Sequence, residues 1–171
     1  MGLVNIVDNF LPESDFNSMV EFFTQIKSEN RATYYVSQIM DPDSFTGQYD
    51  NLRFANTLFA GTPSHGDYSK VIPLLNKIAP RAIMRIKVNF DFRTPTPDFS
   101  GMHIDISGVK TDGLVTGIFY LNTNNGKTKF KDGTIVDSVA NRFVSFPGSM
   151  EHEGISCTDT PFRCAINLNY F

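Results

Sequence analysis

The segment Gly101-Met102-His103-Ile104-Asp105 decides how the rest of this 171-residue chain is interpreted. His103 and Asp105 are two positions apart, so on a β-strand both side chains point to the same face. An imidazole and a carboxylate are both ligands of divalent metal ions. His152 follows 47 positions after Asp105, and Arg163 follows 11 positions later. The sequence therefore predicts a metal site formed by His103, Asp105 and His152.

The predicted ligand set has a recognisable chemistry. Two imidazoles and one carboxylate on one side of an ion form the facial triad of non-haem Fe(II) oxygenases, which leaves other coordination positions open. An H-x-D pair alone is weak evidence, because a chain with three histidines contains one by chance in roughly 15% of cases. The pair gains weight here because His152 and Arg163 follow it in order within a strand-rich half of the chain.

The last segment, from Arg163 to Phe171, alternates with a period of two. If Cys164, Ile166 and Leu168 pack under the helices, the opposite face holds Arg163 inside a barrel, together with Ala165, Asn167 and Asn169. A buried guanidinium needs an anionic partner. No acidic residue is obvious on the neighbouring segments, although Glu151 and Glu153 remain candidates. A bound dicarboxylate would satisfy Arg163 through a charge-assisted pair, and the Tyr120 hydroxyl is placed to assist.

Hydrophobic periodicity predicts helices before strands, an order that indicates an α+β fold with a barrel or jelly-roll sheet core. Asn124-Asn125-Gly126 is a hairpin turn signal. Residues 41–53 form a long polar loop, which we interpret as a candidate lid. Helices are predicted over 13–28 and 67–79, and strands over 3–7, 33–40, 54–60, 83–92, 114–121, 128–130, 134–137, 142–146 and 163–171.

Composition limits the classes of partner. The net charge is −3 and there is no basic stripe, so nucleic acid is not an expected partner. No apolar run reaches membrane-spanning length, and no charged segment with an apolar core resembles a signal peptide. Two cysteines are too few for a disulfide framework. We expect one soluble cytoplasmic domain over residues 1–171, whose oligomeric state the sequence does not decide.

The segment from about Ile83 to Phe171 resembles the 2-oxoglutarate/Fe(II)-dependent dioxygenases, and specifically their prolyl-4-hydroxylase-like branch. The N-terminal Val7-Asp8-Asn9-Phe10-Leu11-Pro12 is also similar to the entry to that family's first helix. The motifs that carry the resemblance are His103-Ile104-Asp105, Gly117-Ile118-Phe119-Tyr120-Leu121-Asn122, Gly126-Lys127-Thr128-Lys129-Phe130, Asn141-Arg142-Phe143-Val144-Ser145-Phe146-Pro147, His152-Glu153-Gly154 and Arg163-Cys164-Ala165-Ile166-Asn167-Leu168-Asn169-Tyr170-Phe171.

The resemblance implies a double-stranded β-helix (jelly-roll) core with flanking N-terminal helices. It implies that His103, Asp105 and His152 bind Fe(II), that Arg163 binds the distal carboxylate of 2-oxoglutarate, and that Tyr120 assists Arg163. It also implies hydroxylation of a substrate C–H bond with O2, release of succinate and CO2, and ascorbate as a reductant by analogy. One departure is Ala165, because many relatives place a serine or threonine there as part of the carboxylate clamp.

The sequence indicates the metal and the cosubstrate more directly than it indicates the substrate. Prolyl residues in a peptide or protein are the expectation for this branch, by analogy alone. A free amino acid or another small molecule is a close rival, because the chain carries no appended peptide-binding domain. A further alternative is a cupin-like, metal-binding jelly-roll protein without oxygenase activity. Cupins usually present histidine-rich ligand sets, whereas this chain offers a carboxylate in its H-x-D motif.

Overall fold

Two antiparallel sheets form the fold in this computed structural model, which describes residues 3–24, 35–38, 52–64, 66–108 and 112–171. The larger sheet has the order β1-β9-β6-β11-β5-β3-β2, with β4 paired to β3, and the smaller has the order β10-β7-β8. The strands are β1 (Asn5–Val7), β2 (Tyr35–Gln38), β3 (Leu52–Ala60), β4 (Thr62–Pro63), β5 (Ile83–Phe92), β6 (Val115–Tyr120), β7 (Lys127–Phe130), β8 (Ile135–Asp137), β9 (Phe143–Pro147), β10 (His152–Ile155) and β11 (Phe162–Tyr170).

Two α-helices accompany the sheets. Helix α1 (Glu13–Thr24) begins where the sequence predicts, while residues 25–28 of the predicted helix 13–28 and residues 41–51 of the candidate lid 41–53 lie outside the described residues. Leu52 and Arg53, which were predicted to lie in that loop, belong to β3 instead. The predicted helix 67–79 is instead a 3-10 helix (Gly66–Val71) followed by α2 (Ile72–Ile78). Pro73 explains the change, because a proline has no N–H to donate and fits only the first turn of an α-helix.

The strand predictions of the second half are confirmed to within about a residue, with two corrections. The hairpin predicted at Asn124-Asn125-Gly126 is wrong, because β6 and β7 belong to different sheets. The Asn124 side chain accepts a hydrogen bond from the Gly126 N–H at 3.0 Å, and the turn carries the chain from the larger sheet to the smaller. Strand β10, which contains His152, was not predicted as a strand.

Each face of the larger sheet contacts a different layer. The side chains of Cys164, Ile166 and Leu168 on β11 are buried in one core with the helix residues Met19 and Leu74. The opposite face meets the smaller sheet, in a second core. That core contains Ile118, Tyr120, Phe130, Val136, Val144, Phe146 and Ala165. The polar residues of β11, Arg163 among them, alternate with Cys164, Ile166 and Leu168. They therefore lie on the second face, between the two sheets.

None of the helices within the described ranges is long and apolar enough to cross a membrane. Both cysteines, Cys157 and Cys164, are buried, and they are not joined by a disulfide.

Asn141 attaches the N-terminal segment to the larger sheet. Its side chain accepts a hydrogen bond from the Leu11 N–H and donates one to the Leu11 carbonyl, each at 2.9 Å and buried. Its own carbonyl accepts from the Phe10 N–H, and its φ of 59° is in the left-handed region, which asparagine tolerates better than most residues. One side chain thus holds the segment between β1 and α1.

We predict that Asn141→Ala lowers the free energy of unfolding by about 2–3 kcal/mol, because two buried hydrogen bonds are lost and alanine is strained at positive φ. Denaturant unfolding measures the change. The control is Asn17→Ala at an exposed position of α1, where alanine favours the helix and no loss is expected. A difference below about 0.5 kcal/mol between the two variants would contradict this role of Asn141.

Candidate metal and cosubstrate site

The two histidines predicted as ligands lie side by side, His152 on β10 and His103 on the segment that runs antiparallel to it. His103 and His152 form an isolated antiparallel bridge, in which each backbone N–H donates to the other residue's carbonyl at 3.0 Å. The ring centroids are 4.9 Å apart. Because backbone hydrogen bonds fix both residues, the pairing of the rings does not depend on side-chain rotamers alone.

Each imidazole is oriented by a backbone carbonyl near it in sequence. His103 Nδ1 lies 2.8 Å from the Gly101 carbonyl, and His152 Nδ1 lies 3.2 Å from the Met150 carbonyl. A carbonyl oxygen only accepts, so each Nδ1 carries the proton and each Nε2 keeps its lone pair. Metal-binding histidines are oriented in this way, with the second ring nitrogen donating to a carbonyl or carboxylate.

Asp105 completes the group. Its Oδ1 lies 4.0 Å from His103 Nε2, and its Oδ2 lies 3.8 Å from His152 Nε2. One ligand atom from each of the three residues lies within 4.8 Å of the others. The structure therefore brings together the three residues that the sequence predicts as ligands. In an octahedral complex neighbouring ligand atoms are about 3 Å apart, so the three ligand atoms would have to approach one another by about one to two ångströms around an ion.

Three side chains donate hydrogen bonds to the Asp105 carboxylate, whose side chain is only 8% exposed. Arg85 Nη2 donates to Oδ1 at 3.1 Å, and the amides of Asn167 and Asn169 donate to Oδ2 at 3.0 and 3.1 Å. An ionised carboxylate offers about four acceptor sites. Three are occupied by these donors, which leaves one site on Oδ1 for a metal ion.

Burial, charge and hydrogen bonding keep two of the three ligands in the protonation state that metals bind. Burial lowers the pKa of His152 below its ordinary value, although the Asp105 charge opposes this, so the imidazole is neutral at pH 7. Burial acts to raise the pKa of Asp105, but the interactions with His152, Asn167, Arg85 and Asn169 outweigh burial and lower it. With His152 neutral at pH 7, Arg85 and the two amides are the partners that hold Asp105 ionised.

Arg163 is 5% exposed and lines the same cavity as the three candidate ligands. Its Nε donates to Ser138 Oγ at 2.9 Å, its Nη2 to Thr128 Oγ1 at 3.2 Å and its Nη1 to Asp91 Oδ2 at 3.4 Å. The acidic partner of Arg163 is therefore Asp91, which was not among the candidates named from the sequence. Asp91 pairs directly with Arg163 in the β5–β11 register, a contact that only the strand pairing reveals.

The Asp91 carboxylate is shared between two guanidiniums. Arg53, at the start of β3, donates from Nε to Asp91 Oδ1, while Arg163 lies on Oδ2. Glu151 and Glu153, the other acidic candidates, pair with Lys131 and Lys129 instead. One carboxylate balances one guanidinium only, so this end of the cavity keeps one positive charge for an anionic ligand.

Tyr120 lies against Arg163 but not directly on the cavity. The guanidinium carbon is 5.4 Å from the centre of the tyrosine ring, and the hydroxyl is 2.7 Å from Thr128 Oγ1. Thr128 lines the cavity, whereas Tyr120 is fully buried behind it. The hydroxyls of Thr128 and Ser138 lie beside Arg163. In many relatives of the resembled family, a serine or threonine at the position of Ala165 supplies the hydroxyl of the carboxylate clamp.

Sequence reasoning missed the polar face of β5. Arg85, Lys87 and Asn89 alternate with the buried residues of that strand and face the cavity rather than solvent. Burial, and then the charges of Arg53 and Arg85, lower the pKa of Lys87 to about 8. The alternation was visible in the sequence, but it does not tell a solvent-facing polar set from one that faces an interior cavity.

The residues present fit a divalent ion and a dicarboxylate. Two neutral Nε2 atoms and one ionised carboxylate would hold the ion, and the three donors around Asp105 would keep that carboxylate in place. Arg163, with the hydroxyls of Thr128 and Ser138, would receive a carboxylate of the organic ligand. The cavity that joins the two groups is also lined by Ile118 and Ala165, which offer no competing polar group.

We predict that Asn167→Ala weakens Zn(II) binding about 10- to 100-fold, because Asp105 loses one of the donors that hold it. Competition with a chromophoric chelator measures the dissociation constant. Asn125→Ala is the matched control, since Asn125 is exposed and does not line the cavity. Equal affinities in a folded Asn167→Ala variant and in the wild type would contradict the role of Asn167.

Comparisons with known proteins show similarity to this chain in fold, and not in sequence. No family model and no curated protein matches the sequence. A 2OG-Fe(II) oxygenase family oxidoreductase from Burkholderia pseudomallei is 12% identical, with a TM-score of 0.68 over 98% of this chain and 85% of that one. A prolyl hydroxylase from Trichoplax adhaerens, in complex with a hypoxia inducible factor oxygen degradation domain peptide fragment, is 15% identical, with a TM-score of 0.61 over 99% and 83%.

A third neighbour is a non-haem alpha-ketoglutarate-dependent carbocyclase from nogalamycin biosynthesis. It is 12% identical, with a TM-score of 0.67 over 98% of this chain and 79% of that chain. Each of the three neighbours shares its fold with nearly the whole of this chain, although sequence identity is low. The mostly antiparallel fold of this protein is therefore the fold of the 2OG-Fe(II) oxygenases, prolyl hydroxylases among them.

Proposed function

We propose that this protein is an Fe(II)- and 2-oxoglutarate-dependent dioxygenase that hydroxylates a substrate C–H bond and releases succinate and CO2. We further propose that residues 1–171 form a single catalytic domain with a double-stranded β-helix core. The observation that carries the proposal is the convergence of His103, Asp105 and His152 in a cavity that also holds the buried Arg163. The fold shared with 2OG-Fe(II) oxygenases supports the same reading.

In the proposed enzyme, His103, Asp105 and His152 hold the ion on one face. When bound, Fe(II) with 2-oxoglutarate supplies the oxidising chemistry of the reaction with O2. The chain's own task is to keep His152 neutral and Asp105 ionised at physiological pH and to hold the His103 ring in place. The carbonyls of Gly101 and Met150 hold the proton on each Nδ1, and Arg85 with the two asparagine amides holds the carboxylate.

Arg163 orients the cosubstrate. Its guanidinium is buried and retains uncompensated positive charge, because Asp91 also serves Arg53. The distal carboxylate of 2-oxoglutarate would complete its set of partners, with Thr128 adding a hydroxyl in place of a serine or threonine at position 165. Tyr120 supports Thr128 through their hydrogen bond and packs against the guanidinium, so its assistance to Arg163 is indirect.

A prolyl residue of a peptide or protein is the substrate that the branch-level resemblance favours. One of the structural neighbours is a prolyl hydroxylase with a peptide fragment bound. A small-molecule substrate is the second candidate, and the positive charge of the cavity favours it. The carbocyclase neighbour has the same fold as the prolyl hydroxylase, so this fold hosts more than one chemistry. The facial set of ligands and the buried arginine argue against a cupin-like protein without oxygenase activity.

We predict that the anaerobically purified protein, supplied with Fe(II), 2-oxoglutarate and O2, forms succinate, whereas His103→Ala forms none above background. The loss follows because His103 is one of three proposed ligands of the ion. Mass spectrometry of succinate provides the measurement, with Lys77→Met, an exposed substitution on α2, as the control. Equal succinate formation by the wild type and His103→Ala would refute the proposed function.

We predict that Arg163→Met weakens 2-oxoglutarate binding about 100-fold while Zn(II) binding changes less than threefold. Methionine keeps much of the side-chain volume but removes the charged hydrogen bonds, whose loss is worth about 2–3 kcal/mol. Calorimetric titration of 2-oxoglutarate into the Zn(II)-loaded protein separates the two effects. An unchanged 2-oxoglutarate affinity in the variant would exclude Arg163 as the carboxylate-binding residue.

A further inference from the structure

The cavity carries more positive charge than an ion and its cosubstrate would require. Among the described residues that line the cavity, four side chains are cationic, and two carboxylates, Asp91 and Asp105, form ion pairs with three of them. A divalent ion and a dianionic cosubstrate cancel each other, so two positive charges remain. The whole chain has a net charge of −3, so this local excess is not a general property of the protein. The four cations are Arg53, Arg85, Lys87 and Arg163.

Lys87 is the cation without an assigned partner. Arg53 and Arg163 share Asp91, and Arg85 pairs with Asp105. Within the parts of the chain that the structure describes, the Lys87 ammonium makes no hydrogen bond or ion pair, although it is partly buried and lines the cavity. Asp105 and Asp91 attract the ammonium without forming an ion pair, and burial together with the charges of Arg53 and Arg85 outweighs that attraction and lowers the pKa of Lys87. Removing a cation from water without a direct partner is unfavourable, and an anionic ligand would offset that free energy.

Lys87 also lies on the side of the cavity that faces the candidate ion. It pairs with Asn167 in the β5–β11 register, and Asn167 donates to Asp105. Arg163 pairs with Asp91, four residues further along β5, which separates the two backbone positions by roughly 13 Å at a rise of about 3.3 Å per residue. A carboxylate held by Arg163 therefore leaves Lys87 free for a different anion.

Two acceptors near Lys87 are unused as well. The Oδ1 atoms of Asn89 and Asn167 are buried and make no hydrogen bond to any described residue. For Asn167 the assignment of oxygen and nitrogen is fixed, because its Nδ2 donates to Asp105. Buried amide oxygens normally accept a hydrogen bond, so a ligand that carries an N–H group would complete this side of the cavity.

We infer that the second of the two substrate candidates is the right one and that the substrate is a free amino acid, whose carboxylate binds Lys87 and whose N–H group donates to Asn89 or Asn167. This inference rests on the proposed function, since it assigns the substrate of that same site. An internal prolyl residue of a peptide has neither a carboxylate nor an N–H group to offer. The reactive C–H bond would lie within a few bonds of the substrate carboxylate, because Lys87 and the ion face the same cavity.

The test uses the full chain loaded with Zn(II) and saturated with 2-oxoglutarate, so that no turnover occurs. The probes are the twenty free L-amino acids and their primary amides, titrated by calorimetry. We expect at least one amino acid to bind, and its amide to bind at least tenfold more weakly. Lys87→Met should weaken binding of that acid at least tenfold, while the affinity for its amide and for 2-oxoglutarate changes less than twofold.

Misfolding does not confound this test, because removal of an unpaired, partly buried cation should leave the melting temperature equal to or above that of the wild type. The exposed Lys77→Met variant is the control for loss of a positive charge. The inference is overturned if no amino acid binds, if acid and amide bind equally, or if Lys87→Met weakens 2-oxoglutarate binding as strongly as acid binding. Failure to bind Zn(II) or 2-oxoglutarate at all would instead refute the proposed function.

Discussion

The hydrogen bonds to the Asp105 carboxylate connect the candidate site to the fold. Asp105 follows a short bridge rather than a long strand, and its position depends on donors from two neighbouring strands, Arg85 on β5 and the asparagines at 167 and 169 on β11. Strands β5 and β11 are hydrogen-bonded over nearly their whole length. A carboxylate held in this way stays ionised and oriented before any ion arrives, which reduces the reorganisation that binding requires.

The site also joins the two sheets. His152 belongs to the smaller sheet, while the partners of Asp105 belong to the larger one. Arg163 extends from the larger sheet to Thr128 of the smaller sheet and to Ser138. Polar and charged groups therefore fill part of the space between the sheets, where an apolar core would be more stable. Their retention is understandable if the space serves ligands rather than stability.

Much of the architecture follows from local sequence pattern. The alternation of β5 and β11 predicted both strands and the inward face of β11, and the H-x-D motif with His152 predicted the residues that converge. What the pattern did not supply was pairing. Asp91 and Lys87 face the cavity because β5 lies beside β11. Arg163 and Asp91, for example, are 72 residues apart in the sequence and become neighbours only in the fold. The hairpin prediction failed for the same reason, since a turn signal does not say which sheet the next strand joins.

The most direct measurement is an anomalous-scattering crystal structure of the protein loaded with Mn(II) and 2-oxoglutarate. The geometry predicts one strong peak roughly 2.1 Å from His103 Nε2, His152 Nε2 and Asp105 Oδ1, with the 2-oxoglutarate carboxylate on Arg163. A peak bound elsewhere, or Asp105 still held only by Arg85 and the two asparagines with no ion beside it, would contradict the metal site on which the proposed chemistry depends.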